Sequence, residues 1–170
     1  MIVSPRMQIP IVAGVGYGST LLSAFDDALC AVGVHNYNLI PLTSVIPPGA
    51  AVTLLDRHAA PEDAHGHRLY VVKAEVRADE VGRIAGAGLG WYQWGDSRGV
   101  FVEHEAIGAT RATVAQELGD RICHSLRDLC AARDVPFRRQ EVRSRIALVD
   151  VGDRPTCALV LAIYHAEGWR

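Results

Sequence analysis

The sequence predicts a single mixed α/β (α+β) domain, and three observations predict it. Six short stretches of alternating or continuous apolar residues, bounded by Gly and Pro, have the pattern of strands. Two longer stretches carry apolar residues at helical spacing instead. No internal repeat and no Gly/Ser/Pro-rich linker divides the 170 residues, 49% of them hydrophobic, so residues 1–170 read as one domain. A chain of this length buries about two-thirds of its unfolded surface on folding and needs neither disulfides nor a structural metal to do so.

The elements follow in order. Met7 to Val15 is an Ile- and Val-rich strand, after which Gly14, Gly16 and Gly18 turn the chain toward Ser19 and Thr20. Either hydroxyl caps a helix whose apolar positions Leu21, Phe25, Leu29 and Val32 repeat until Gly33 ends it. Asn36 to Ile46 is extended, and period-two alternation places Asn38, Ile40, Leu42 and Ser44 on one side. Pro41 makes this an edge or irregular strand, and Pro47, Pro48 and Gly49 stop it. Arg57 to His67 is a polar loop, Leu69 to Val76 a strand, and residues 82 to 90 are glycine-rich. Gly99 to Glu105 alternates, with Phe101, Glu103 and Glu105 on one face and Val100, Val102 and His104 on the other. From Thr110 a second helix presents Val114, Leu118, Ile122, Leu126 and Leu129 as its stripe and ends near Asp134 and Pro136. Val142 to Val151 and Cys157 to Tyr164 are closing strands, apolar enough for a sheet covered on both faces.

Several function classes fall away on composition. With 17 basic against 19 acidic side chains and a net charge of -2, no basic stripe exists for a phosphate backbone, so no nucleic-acid partner is expected. No apolar run reaches membrane-spanning length, and no membrane association is expected. Cys30, Cys123, Cys130 and Cys157 form no CxxC pair, and no basic, apolar leader opens the chain; a reduced, cytoplasmic protein is the expectation. GVGYGST has the strand-before-helix context of a phosphate cradle but lacks the P-loop lysine and the GxGxxG spacing, which leaves a tight turn as the simpler reading. His58, His65 and His67 share one loop without a neighbouring cysteine or an HExxH, so a solvated loop and no metal are expected. A GxSxG nucleophile elbow is absent.

Thr43 and Ser44 form a hydroxyl pair between an apolar strand and a double proline, in isolation an ordinary strand end. They do not stand in isolation. GVGYGSTLLSAFDDAL, the NxNLI of Asn36 to Ile40, the TSVIPPG of Thr43 to Gly49 and the VEHE of Val102 to Glu105, in that order, resemble the pyruvoyl-dependent arginine decarboxylases. The resemblance spans most of the chain and is densest from Gly14 to Gly49.

That resemblance implies a four-layer αββα sandwich, assembled as a homotrimer or hexamer with sites between neighbouring protomers. It implies self-cleavage between Thr43 and Ser44 into chains 1–43 and 44–170, with Ser44 becoming a covalent pyruvoyl group, so that neither pyridoxal phosphate nor a metal is required. A serine suits the chemistry, since its Oγ can attack the Thr43 carbonyl to give an ester by N-to-O acyl shift. Elimination then gives dehydroalanine, and hydrolysis leaves pyruvoyl and ammonia. A cysteine could make the first step and an alanine could not.

Asn38 matches the family's asparagine and is implied to face the oxyanion on Thr43, a contact that contributes about 2.7–4 kcal/mol when correctly aimed. Read alone, Asn38 pairs with nearby backbone. Glu103 matches the catalytic glutamate, implied to protonate the substrate α-carbon, with apolar strand neighbours expected to keep a proton available. Asp26 matches the aspartate facing the guanidinium of arginine, a planar cation that a carboxylate meets in bidentate fashion, while Asp27 reads as a solvated helix residue. The implied reaction is L-arginine to agmatine and carbon dioxide, with another basic amino acid as the alternative substrate. Ser23, where relatives commonly carry asparagine, and the aromatic stretch Gly90 to Gly95 are departures that bear on the pocket. Two other readings stay open at this level: a nucleotide-binding module, and a non-catalytic relative retained as a subunit.

Overall fold

A computed structural model describes residues 7–169. In chain order the described residues form β1 (Gln8–Tyr17), α1 (Leu21–Val32), β2 (Asn38–Pro41), β3 (Val45–Ile46), β4 (Ala51–Leu54), β5 (Arg68–Ala78), β6 (Ile84–Trp94), β7 (Arg98–Gly108), α2 (Arg111–Ala131), β8 (Arg143–Asp150) and β9 (Thr156–Glu167). Both helices start as hydroxyl caps require. Thr20 Oγ1 accepts from Ser23 N–H at 3.0 Å, Ser23 Oγ accepts from Thr20 N–H at 3.0 Å, and Thr110 Oγ1 accepts from Thr113 N–H at 3.1 Å. Ser23, one of the departures noted above, is thus half of a capping box. At the far end of α1, Gly33 takes the left-handed conformation, φ 82°, that closes a helix.

The strands form two sheets. One has the order β2-β5-β9-β1-β4, parallel at its two outer pairs and antiparallel within; the other is antiparallel with the order β3-β7-β6-β8. Alternation sorts β9 between two cores: Ala158, Val160 and Ala162 face the second sheet, while Cys157, Leu159, Leu161 and Ile163 face α1. Ala24, Ala28 and Val32 of α1 complete that outer core, and Ile122 and Leu126 of α2 cover Val100 and Val102 on the far side of the second sheet. Helix, sheet, sheet and helix therefore follow one another, with β9 covered on both faces as its continuous apolar run predicts.

Two expectations are corrected, and one stretch left without an element is placed. Most of the GVGYG stretch is strand: Gly14 and Gly16 lie within β1 and let α1 approach, and the chain turns only from Gly18 to Thr20. A Cβ on Gly16 would sit 2.2 Å from Ala28 N and 2.4 Å from Ala24 O, so the glycine serves backbone contact rather than a phosphate. Of the glycine-rich residues 82 to 90, those from Ile84 on belong to the buried strand β6, where a Cβ on Gly90 would meet Ile122 Cγ2 at 2.2 Å. Finally, Asn36 to Ile46 is not one strand. Leu42 N–H makes a bond to the first sheet, at Val71 O (2.8 Å), and Phe101 N–H then holds Ser44 O at 2.7 Å in the second. The chain crosses between sheets at residues 43 and 44, so the alternation linking Asn38 to Ser44 is interrupted. Among the described residues no helix is long and apolar enough to cross a membrane.

Candidate active site

The crossing between sheets shapes the backbone around Ser44. β3 is an edge strand of two residues, so the Val45 N–H and C=O pointing away from β7 need partners other than a neighbouring strand. Val45 N–H finds the Thr43 carbonyl oxygen at 3.1 Å. This i to i+2 bond closes a γ-turn centred on Ser44, and because Ser44 is not among the positive-φ residues the turn is of the inverse, low-strain kind. Val45 C=O accepts from Tyr164 O–H at 2.8 Å. The serine is therefore held by its own carbonyl on Phe101 N–H and by both backbone groups of the residue after it.

Its side chain is held as well. Ser44 Oγ donates to Glu103 Oε2 at 3.0 Å, from the β7 position two residues beyond Phe101. The VEHE segment thus brings to Ser44 the carboxylate that alternation places on the Phe101 face. Glu103 is exposed, however, so the apolar enclosure expected for it is not provided by this chain alone. His104, on the opposite face of β7, points at α2 and meets Ser125 Oγ at 2.8 Å; burial first, and then the Arg121 guanidinium, lowers its pKa below 6.5. Ser44, Glu103, His104 and Ser125, with Phe101 and Leu129, line a cleft of about 240 Å³ that wraps the open edge of β7.

An aromatic ladder backs this arrangement. The Phe101 ring lies between Trp91 (centroids 6.2 Å apart, 56°) and Tyr164 (6.2 Å, 67°, edge-on). Trp91, from the aromatic stretch of unassigned role, is therefore core rather than pocket wall, and Tyr92 beside it turns to α2 and donates to Glu141 at 3.0 Å. Tyr164 sits where the β5–β9 pairing slips, since Tyr70 pairs with His165 and Val71 with Ile163, leaving Tyr164 as the extra residue of a bulge. Burial, and secondarily the Glu103 charge, raises the pKa of its phenol well above the ordinary 10, so it is a proton donor at neutral pH.

The other expected residues lie elsewhere in the chain. Asn38, at the outer edge of the first sheet, donates through Nδ2 to Gly66 O at 2.8 Å, the backbone pairing that is its simplest reading, and this chain does not bring it to Thr43. Asp26 is exposed on α1, on the outer face of the first sheet, away from the Ser44–Glu103 pair at the edge of the second. Asp27 Oδ2 accepts from Tyr17 N–H at 2.8 Å and joins α1 to β1, so it is not merely solvated. In the histidine loop, His58 contacts Tyr37 (Nε2 to hydroxyl 3.4 Å) at a cleft of about 370 Å³, and among the described residues no group of His, Cys, Asp and Glu could hold a metal ion. That cleft is larger than the one at Ser44, but it holds no nucleophile paired with a base.

The residues that sequence reasoning missed are Tyr164 and the N–H groups of Val45 and Phe101. For Tyr164 the signal was available: it is the one hydroxyl closing the apolar run from Cys157. For the backbone donors no residue type could have announced them.

Comparison with known proteins identifies a family. Residues 8–168 match the model of a family described as pyruvoyl-dependent arginine decarboxylase. A Halobacterium salinarum protein of that name is 34% identical over 158 residues, covering 92% of this chain and 93% of its own. Proteins of the same name from Thermococcus sibiricus (94% of this chain, 95% of the relative) and Pyrococcus furiosus (95% and 96%) are each 28% identical.

Proposed function

The chain belongs to the pyruvoyl-dependent arginine decarboxylase family, and on that premise we propose that Ser44 cuts its own chain after Thr43 and, as a pyruvoyl group, serves the reaction. The reaction is the decarboxylation of L-arginine to agmatine and carbon dioxide, which makes the protein a carbon–carbon lyase. The observation that carries the reading is Ser44 Oγ bonded to Glu103 inside a turn whose Thr43 oxygen already has a donor.

Glu103 takes the proton from Ser44 Oγ as the oxygen attacks the Thr43 carbonyl carbon. Negative charge grows on the Thr43 oxygen, which Val45 N–H faces at 3.1 Å. A carbonyl oxygen has two lone pairs, so we assign Asn38 as the second donor, exchanging its bond to Gly66 for one to Thr43. The Thr43–Ser44 C–N bond then breaks with proton transfer to nitrogen, leaving an ester. Loss of the Ser44 α-proton expels the Thr43 carboxylate and gives dehydroalanine, whose hydrolysis releases ammonia. The net change is one water consumed and one ammonia released, with chains 1–43 and 44–170 as products.

The site suits the group so formed. Phe101 N–H, at 2.7 Å from the Ser44 carbonyl oxygen, would hold the amide oxygen next to the new ketone. The pyruvoyl group supplies a carbonyl that condenses with the substrate α-amine and draws off the electron pair left by carbon dioxide. Glu103 returns a proton to the substrate α-carbon, and Asp26 meets the guanidinium. Asp26 on the outer face of α1 and the exposed Glu103 support a site completed by neighbouring copies in a homotrimer or a hexamer. The helix–sheet–sheet–helix order supports the four-layer αββα sandwich, and no pyridoxal phosphate, metal, nucleic acid or membrane enters this scheme in the cytoplasm.

Intact mass spectrometry tests the reading. Wild-type protein should give two chains divided at Thr43 and Ser44, the larger carrying pyruvoyl, and borohydride with arginine should add substrate mass to that larger chain. Ser44→Ala should give one uncut chain that releases no carbon dioxide. A wild-type chain that stays whole through prolonged incubation overturns the proposal.

A further inference from the structure

We propose that Tyr164 is a positioning residue for self-cleavage: by donating to the Val45 carbonyl it fixes Val45 with its N–H aimed at the Thr43 oxygen, the atom on which charge develops. The inference rests on the self-cleavage reading above.

Four contacts carry it. Tyr164 O–H to Val45 O is 2.8 Å, Val45 N–H to Thr43 O is 3.1 Å, Phe101 N–H to Ser44 O is 2.7 Å, and Ser44 Oγ to Glu103 Oε2 is 3.0 Å. The last two fix Ser44 on the β7 side. The Val45 N–H lies in the same peptide plane as the Ser44 carbonyl that Phe101 holds, and Tyr164 holds the next plane through the Val45 carbonyl. On the outer side Val45 has no neighbouring strand, so without Tyr164 its backbone would lose that second anchor and could carry the N–H off the Thr43 oxygen. A donor is useful to a developing oxyanion only when it is held in place before the charge appears. Tyr164 meets that requirement because its ring is seated edge-on against Phe101 and its backbone lies at the bulge of β9. An unbulged β9 would continue the regular pairing with β5 past Val71, and the bulge re-aims one side chain toward β3. The hydroxyl also satisfies a strand-edge carbonyl, a structural duty, and the experiment must separate the two.

Tyr164→Phe removes one oxygen and keeps the ring on Phe101. Cleavage is followed in pulse-labelled, cell-free synthesised wild-type and Tyr164→Phe chains by gel and intact mass, alongside Tm. Protection of the Val45 amide against hydrogen exchange is measured in Ser44→Ala and Ser44→Ala/Tyr164→Phe precursors. The expected result is cleavage about tenfold slower, the loss of one neutral hydrogen bond, with Tm nearly unchanged and Val45 protection reduced. Carbon dioxide release per cleaved chain should keep its KM. Cleavage at the wild-type rate, or unaltered Val45 protection, overturns the assignment. So does a Tyr164→Phe chain that fails to fold or melts far lower, because the contact is then structural. If the wild-type chain itself stays uncut, the self-cleavage reading falls and takes this inference with it; if the wild type cuts and Tyr164→Phe cuts equally fast, only the inference falls.

Discussion

Replacing Glu103 by Gln separates two duties assigned to one side chain. Gln retains an oxygen that can accept from Ser44 Oγ, as Glu103 Oε2 does at 3.0 Å, but it cannot take up or return a proton. In the precursor the change converts a charge-assisted hydrogen bond into a neutral one. Glu103 is exposed, so solvent already screens that charge and the expected slowing of cleavage is about fivefold. Water can stand in as proton acceptor for a cleavage event that each chain undergoes once. Turnover has no such latitude, and losing a general acid lowers it about 10²- to 10⁴-fold. The assay counts cleaved chains by mass spectrometry and divides into that number the carbon dioxide released from carboxyl-labelled arginine. A fully cleaved Glu103→Gln protein turning over within about threefold of wild type would remove Glu103 from the chemistry, since so small a change is under 1 kcal/mol of barrier. A variant that never cuts would refute the separation of duties.

Other expectations follow from the same geometry. Asp26→Asn keeps size but loses the charge facing a guanidinium, and should raise KM for arginine about tenfold or more while leaving cleavage untouched; an unchanged KM would take Asp26 out of substrate recognition. Gly16→Ala places a Cβ 2.2 Å from Ala28 N, backbone that can yield only if α1 moves, so a loss of about 1–3 kcal/mol and a Tm lower by about 3–10 °C are expected by calorimetry. Burial lowers the pKa of His58 and of His104 below 6.5, with Arg121 adding to the effect at His104. The unfolded chain therefore takes up protons at these positions before the folded one does, so their contribution is whole above pH 6.5 and is lost as pH falls through the folded pKa values. Tm should accordingly decline on acidification below 6.5 and decline less in His58→Gln/His104→Gln; identical slopes would refute the assignment.

Legibility in the sequence tracked how locally each feature is determined. Both helices could be read because cap, stripe and terminator lie within a few residues of one another, as Thr20, Leu29 and Gly33 show. β9 could be read because a strand covered on both faces needs a continuous apolar run. β6 hid behind glycine: Gly90 packs under Ile122, and only the position of α2, settled by tertiary structure, turns a loop-like composition into a core strand. β4 hid behind Pro47 and Pro48 and exists through its parallel partner β1. At the site, Ser44 and Glu103 were found by motif and prove to be bonded. The parity that joined Asn38 to Ser44 assumed one sheet, and the chain uses two. The hydroxyl that closes the apolar run marks Tyr164, but its acceptor on Val45 lies 119 residues away, a pairing no local pattern can bridge.

The position of β1 has a mechanical consequence. The first 43 residues contain β1, α1 and β2, and β1 is an inner strand, flanked by β9 and β4, with α1 laid over it. Severing the backbone where it passes between sheets would sacrifice none of those ladders, so the shorter piece would stay clamped as an integral member of the body. The scar would relax locally, freeing new ends beside Glu103, while the framework around it kept its shape. Such a nicked molecule should melt as a single cooperative unit, and its two fragments, separated in denaturant, should find one another again when mixed.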